Sequence, residues 1–254
     1  TLVAAEMDRE IARHLAALQF AAATLTPALI ANPVALGQHL TQRQDLVSRF
    51  NNGIAVYQPD GSAITAIPSA SGSPNHSDVV REDLIDVFKG AKAVVGQPHL
   101  SWPNRFAAFV MSVPVLDPAG QVIGALSGAT DLSGVNFLDK YVGNSYGASG
   151  SFVLIAPRSR LVVTATDKRR VLEQLPMPGI NPEMDRLLLG FEGFSVAVGA
   201  NGQQVLAAAK GVPTAGWQLA VLLPTAEAFA PFVRLQTRTL LATLLFTLVA
   251  GTLI

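Results

Sequence analysis

The most reactive side chains in this sequence are four histidines, His14, His39, His76 and His99. None has the spacing a metal centre demands, since no H-E-x-x-H pair or other regular ligand pattern occurs. Cysteine is absent, which removes thiolate ligands, disulfides and a cysteine nucleophile together. There is no G-x-S-x-G elbow and no phosphate-cradling P-loop. Ser149-Gly150-Ser151 reads as turn residues. The sequence therefore offers no catalytic constellation, no metal site and no cofactor site.

It does offer a set of recognition groups between residues 81 and 131. A small-molecule site needs an apolar concavity with a few convergent polar groups. Arg81 opens a short helical stretch and suits a carboxylate, which its guanidinium can hold with two parallel N–H donors. Beside Glu82 and Asp83 it is equally a solvated arginine. His99, Trp102 and Arg105 fall on a loop and strand edge. Trp102 forms either an aromatic wall or a lid over the core, and Arg105 faces either ligand or solvent. Phe109 and Met111 alternate with Val110 and Ser112, so one set faces the pocket and the other the far side of the sheet. Phe109 and Met111 are the candidates for the pocket, with Ser127 on the following strand. Asp131 reads as a strand-end cap.

These residues need a scaffold. The chain opens on an amphipathic helix reaching about Leu25, with Ile11, Leu15, Leu18, Ala22, Leu25 and Leu29 in a heptad-like stripe. Glu6, Asp8, Arg9, Glu10 and Arg13 lie opposite. Asn32-Pro33 is an N-cap followed by proline at N1, restarting a helix through Val34–Phe50. Asn51-Asn52-Gly53 ends it. The period then becomes strand-like: Ile54–Tyr57 and Ala63–Ile67 flank an Asp60-Gly61 turn. Ser69–Ser77 is a polar loop. Val79–Lys89 is a short helix with Leu84, Ile85 and Phe88 on one side. Arg105–Val115 and Gln121–Thr130 form a second hairpin. Thereafter the order recurs: Ser151–Ala156 with Arg160–Ala165, a helix at Pro182–Leu189, Gly193–Val198 with Gln203–Lys210, and a last strand at Trp217–Leu223. Repeats this far apart mean duplicated modules rather than a solenoid, whose period is roughly 20–50 residues.

The 254 residues are 50% hydrophobic and only 14% charged, against about 25% charged in average soluble domains. Lys+Arg and Asp+Glu are both 18, so the net charge is zero. That excludes a strongly basic nucleic-acid binder and an acidic disordered chain. The apolar excess concentrates at one end, because Thr239–Ile254 carries no charge. A spanning helix needs about 20 such residues, so this run is expected to be the start of a transmembrane helix, with Arg234 and Arg238 able to snorkel to headgroups. The competing reading is a buried C-terminal helix.

The sequence resembles the double Cache family, tandem PAS-like extracytoplasmic sensors of bacterial membrane receptors. The first module carries the resemblance at Gly96-Gln97-Pro98-His99-Leu100-Ser101, at Val113–Gly124 (VPVLDPAGQVIG) and at Asp131-Leu132. The second carries it at Gly147–Leu154, Glu192-Gly193, Gly216-Trp217 and Pro224–Phe229. The likeness covers nearly the whole chain and looks most like sensors that precede GGDEF diguanylate cyclase domains. It implies an α+β fold in four parts: a helical stalk over 1–50, a membrane-distal PAS-like module over 51–132, a membrane-proximal module over 133–232 and the start of a transmembrane helix over 233–254.

The resemblance also implies a function: ligand sensing outside the bacterial inner membrane, without enzymatic activity in this region. Signalling would pass through the C-terminal helix to a diguanylate cyclase, a histidine kinase or a chemoreceptor output. The Ile11–Leu29 stripe is expected either to form a homodimer surface or to pack against the two modules. Amino-acid-binding members carry an Arg, then Trp and Tyr two and three residues on, then a Tyr after x-Pro, then an Asp on the last distal strand. Here Arg81 matches, but Asp83, Leu84, His99 and Ala129 stand at the other positions. A free α-amino group needs that carboxylate and aromatic cage to offset its desolvation, so the expected ligand is not an ordinary α-amino acid. The rival reading is a membrane-tethered module that binds protein and takes no small ligand.

Overall fold

The computed structural model describes residues 2–68, 78–101, 105–142, 147–199 and 202–230, with positions 239 and 243; of residues 78–81 it describes the backbone. The first helix, α1 (Leu2–Ala22), contains neither glycine nor proline. Its buried residues Ala4, Met7, Ile11, Leu15, Leu18 and Ala22 recur at three- and four-residue steps. Two short helices follow, each started by a capping side chain and a proline. Thr26 Oγ1 accepts Leu29 N–H at 3.3 Å for α2 (Pro27–Ile30), and Asn32 Oδ1 accepts Ala35 N–H at 3.1 Å for α3 (Pro33–Thr41).

The single helix expected through Phe50 is broken. α3 stops at Thr41, and α4 covers Gln44–Val47. Phase gives the reason. Leu36 and Leu40 share a helix face, but in an unbroken helix Leu46 would sit about 80° away from Leu36 at 100° per residue. The turn at Gln42–Arg43 resets the phase, and all three leucines are buried. Arg43 Nη1 donates to Thr24 Oγ1 at 3.1 Å, tying that turn to the end of α1.

Two antiparallel sheets follow. The first holds β1 (Ile54–Tyr57), β2 (Ala63–Ile67), β3 (Val94–Val95), β4 (His99–Ser101), β5 (Phe106–Leu116) and β6 (Val122–Asp131), with α5 (Asp78–Gly90) between β2 and β3. Its order is β2-β1-β6-β5-β3, with β4 also on β5. The Asp60-Gly61 turn forms as expected: Asp60 Oδ1 accepts Ser62 N–H at 2.8 Å, and Gly61 takes φ 85°. A short α6 (Asp139–Val142) leads to β7 (Ser151–Ala156), β8 (Leu161–Ala165), a 3₁₀ turn (Lys168–Arg170), α7 (Pro182–Leu188), β9 (Gly193–Val198), β10 (Gln204–Val212) and β11 (Trp217–Pro224). The second sheet runs β8-β7-β11-β10-β9. This is the first order again, without a counterpart of β4, so the recurrence in the sequence is a recurrence of topology.

Each sheet carries helices on two faces, though β9 at the edge of the second sheet leaves Phe194, Val196 and Val198 exposed. One face of both sheets shares a single core with α1–α4. Phe109, Met111 and Leu126 enter it from the first sheet, Phe152, Trp217 and Leu219 from the second, and Ile11, Leu15 and Leu18 from α1. The α1 stripe is therefore consumed inside the chain and is not a free dimer surface, a correction to one of the two sequence readings. The opposite faces carry α5 and α7. On α5, Leu84 and Val87 are buried against Ala55, Tyr57, Val110 and Ala129, while Ile85, expected on the inner side, is exposed. Positions 84 and 87 lie three apart on one helix face, whereas Ile85 is rotated away from them.

The modules meet at an aromatic junction. Phe109 of β5 stands edge-on to Trp217 of β11 at 5.1 Å, and His14 stacks on Phe137 at 4.0 Å. Polar ties reinforce it: Asp8 accepts Thr214 N–H at 2.8 Å, and Glu10 pairs with Lys140 at 3.1 Å. After β11, residues 225–230 are helical. Glu227 there accepts Ala148 N–H at 2.7 Å and Ser149 N–H at 3.0 Å, and also the Ser149 hydroxyl. Among the described residues no helix is long and apolar enough to cross a membrane. The membrane segment expected from Thr239 lies outside the described residues except for Thr239 and Thr243, both helical.

Candidate ligand-binding site

On the α5 side of the first sheet a small cavity opens where β1, β4, β5 and β6 come together. Its apolar floor is Ala55, Ala108, Val110 and Ala129; its polar groups come from Asn52, Tyr57, His99, Ser101 and Ser127. The described residues enclose about 20 Å³, room for about one water.

Local chemistry fixes the polar groups. His99 pairs with Ala108 across β4 and β5, which carries its ring over the sheet. The chain reaches that position through Gly96, whose N–H donates to Val110 O at 2.7 Å. A Cβ on Gly96 would lie 2.0 Å from Asp83 Oδ2 and 3.0 Å from Val110 O, so a larger residue here would have to displace the Asp83 side chain of α5. His99 Nδ1 lies 3.1 Å from the Gln97 carbonyl, which can only accept, so Nδ1 carries the proton and Nε2 is the acceptor in the neutral ring. Burial lowers the imidazole pKa, partly offset by that hydrogen bond. Ser127 on β6 faces Ser112 on β5, and their hydroxyls share a hydrogen bond of 2.7 Å in the buried sheet. Burial pushes the Tyr57 phenol above its ordinary range.

On α5, beside Gly96, Asp83 is an oddity. Its carboxyl is pushed up to about 7, first by burial and then by Asp86, with Arg158 acting in the other direction. Its Oδ2 is buried and has no hydrogen-bond partner among the described residues.

The sequence candidates divide. His99 and Ser127 line the cavity. Phe109 and Met111 do not: both are fully buried on the opposite face of β5, against the α1 layer. The alternation was legible, but the large side chains fill the wide space under α1, and the small set, Ala108 and Val110, faces the cavity. Arg105 is exposed, with φ 53°, and is not part of the lining. Trp102 and the Arg81 side chain lie outside the described residues. Asp131 caps the strand end: its Oδ1 accepts Ser133 N–H at 2.7 Å. Missed by the sequence reading were Asn52, Tyr57 and Ser101. Tyr57 and Ser101 fall on the face that alternation assigns once Ala108 is placed inward.

No protein-family profile matches the sequence, and no curated protein does. Solved structures do. The periplasmic sensory domain of the Campylobacter jejuni chemoreceptor Tlp1 superposes with a TM-score of 0.69 at 18% identity, over 90% of this chain and 93% of that one. The fold of this chain is similar to the fold of that domain. The ligand-binding domain of the Pseudomonas aeruginosa PAO1 amino-acid chemoreceptor PctB, in complex with L-Arg, gives 0.69 at 18% identity, covering 93% and 89%. The extracellular domain of the putative histidine kinase mmHK1S-Z2 gives 0.65 at 12% identity, covering 88% and 94%. These likenesses establish the sensory fold: a long first helix and two antiparallel sheets in tandem.

Proposed function

We infer that this chain is the extracytoplasmic sensing region of a bacterial inner-membrane receptor, and that it takes a small ligand between the first sheet and an α5 layer that moves outward to admit it, since the described residues enclose only about 20 Å³ there. The observation that carries this is the grouping of His99, Ser101 and Ser127, with Asn52 and Tyr57, around an alanine- and valine-lined floor on the sheet face beneath α5. The first module is then the membrane-distal one, and the second couples it to a transmembrane helix beginning near residue 233. The structural neighbours, domains of chemoreceptors and of a histidine kinase, favour those outputs over a diguanylate cyclase. Homodimerisation would use the outer face of α1, since its apolar stripe is consumed.

Several neighbours are described with amino acids bound. Here the described cavity lining carries no carboxylate, and Ala129 stands on the strand where an ammonium would need one. The reading is a small organic acid or similar metabolite without an α-amino group, with Arg81 of α5, whose side chain lies outside the described residues, as the cation that would meet its carboxylate. Isothermal titration of the chain against α-amino acids and organic acids tests it. Binding of an organic acid that Ser127→Leu abolishes, with the circular dichroism spectrum retained, is the expected result. Tight binding of an α-amino acid overturns the ligand class, and an unchanged affinity in Ser127→Leu overturns the site.

A further inference from the structure

The second sheet carries a cavity of its own, about 320 Å³, between its α7 face and the layer above. That is within the range of small-molecule sites. Its origin is geometric. α7 has 7 residues, about 10 Å of helix, and lies over β7 and β8. The half of the sheet formed by β9, β10 and β11 is left without a covering helix. Its upper face there carries the small side chains Ser195, Ala197, Ala207, Ala209 and Ala220, with Val205 and Leu222 beside them. Ala207 and Ala209 keep accessible surface although β10 is hydrogen-bonded on both sides. Met184, Leu187 and Phe191 wall the space from the α7 side.

The charges at the rim are already matched. Arg170 donates to both oxygens of Glu173, at 2.5 and 3.2 Å. Glu183 is paired with Arg186 at 3.5 Å. A charged ligand entering here would lose water and find no free counter-charge, or would have to break a pair. An uncharged, largely apolar molecule pays neither cost, and the hydroxyl of Ser195 lies on the floor to receive one polar substituent.

We propose that the second module is a separate binding site for a neutral, mostly apolar small molecule of one or two rings. The site is independent of the first-module reading, and either can fail without the other. The probes are 2-naphthol and its charged isostere 2-naphthoate, titrated at pH 7 into the 254-residue chain and followed by calorimetry and naphthol fluorescence. The expected result is saturable binding of 2-naphthol, with 2-naphthoate weaker by at least about tenfold. Ala207→Leu, which fills the floor, abolishes binding while raising the unfolding temperature, because it occupies an existing void. Ser127→Leu in the first module leaves 2-naphthol affinity unchanged. Failure of 2-naphthol to bind, equal affinity for the naphthoate, or undiminished binding by Ala207→Leu each overturns the proposal. If Ala207→Leu does not fold, Ala209→Val on the same floor replaces it, and unchanged affinity there overturns the proposal equally.

Discussion

In the first module a helix of 13 residues lies across the sheet; in the second a helix of 7 residues does the same task. The strand orders are equivalent, and both sheets put alanines on the helix-facing side. The longer helix brings Leu84 and Val87 down onto Ala55, Val110 and Ala129, leaving about 20 Å³ among the described residues. The shorter one stops over β7 and β8 and leaves about 320 Å³. Helix length, more than sheet composition, decides which copy of a duplicated unit is filled and which is hollow.

Truncating the two helices would break that contrast most sharply. Leu84→Ala should cost about 2–5 kcal/mol, since Leu84 is fully buried against a closed floor. Met184→Ala, beside an existing void, should cost about 1 kcal/mol or less. Urea midpoints compare the two, and equal losses would mean that the second cavity is filled in solution. Next in size is Asp83→Asn, with no counterpart in the second module. The Asp83 carboxyl is raised to about 7, so the folded chain holds a proton that the unfolded chain releases above about 4. Its ionisation therefore costs stability progressively as pH rises from about 4 to 7. Asp83→Asn should stabilise by about 1–3 kcal/mol at pH 8 and by much less at pH 4. An equal gain at both pH values would show that burial of the charge is not the cause.

A smaller effect belongs to the caps. Asn181 Oδ1 accepts Met184 N–H at 3.1 Å at the start of α7, and Asn181→Ala should cost about 1 kcal/mol. If the short helix is a lid, this change also weakens 2-naphthol binding. The smallest expected effect is the acid response of the histidines. Burial lowers the pKa of both His14 and His99 in the folded chain, so the unfolded state binds protons first. Their contribution is lost as pH falls through about 6.5 and below. His99→Gln should flatten stability between pH 7 and 5, read from thermal melts, and no flattening would place His99 in water.

Turn chemistry made much of this architecture legible. Asp60-Gly61, Asn32-Pro33 and the period-two runs placed β1, β2, the start of α3 and the strands β5 to β11 within a residue or two, but not the short β3 and β4. The break at Gln42–Arg43 was not legible, because no glycine or proline marks it; it is imposed by the need to bury Leu46 with Leu36 and Leu40. The site was half legible. His99 and Ser127 stand out as polar residues in apolar strands, but which face of β5 looks at the cavity depends on α1 claiming Phe109 and Met111. The hollow second module was hidden for the same reason: alanines on a strand do not say how far a distant helix will reach.

The shared core also bears on modularity. Duplicated in topology, the two sheets are not separable in composition, because α1 lends one apolar stripe to both, and Phe109 leans on Trp217 across the junction. Neither copy can drift, be excised or be exchanged without presenting α1 with a new surface. In a chimera that imports a foreign second module, the host residues under selection would be Met7, Ile11 and Phe109, none of which touches the cavity being exchanged. Sequence divergence between chains of this fold should accordingly run fastest on the α5 and α7 faces and slowest along the single helix that serves as their common wall.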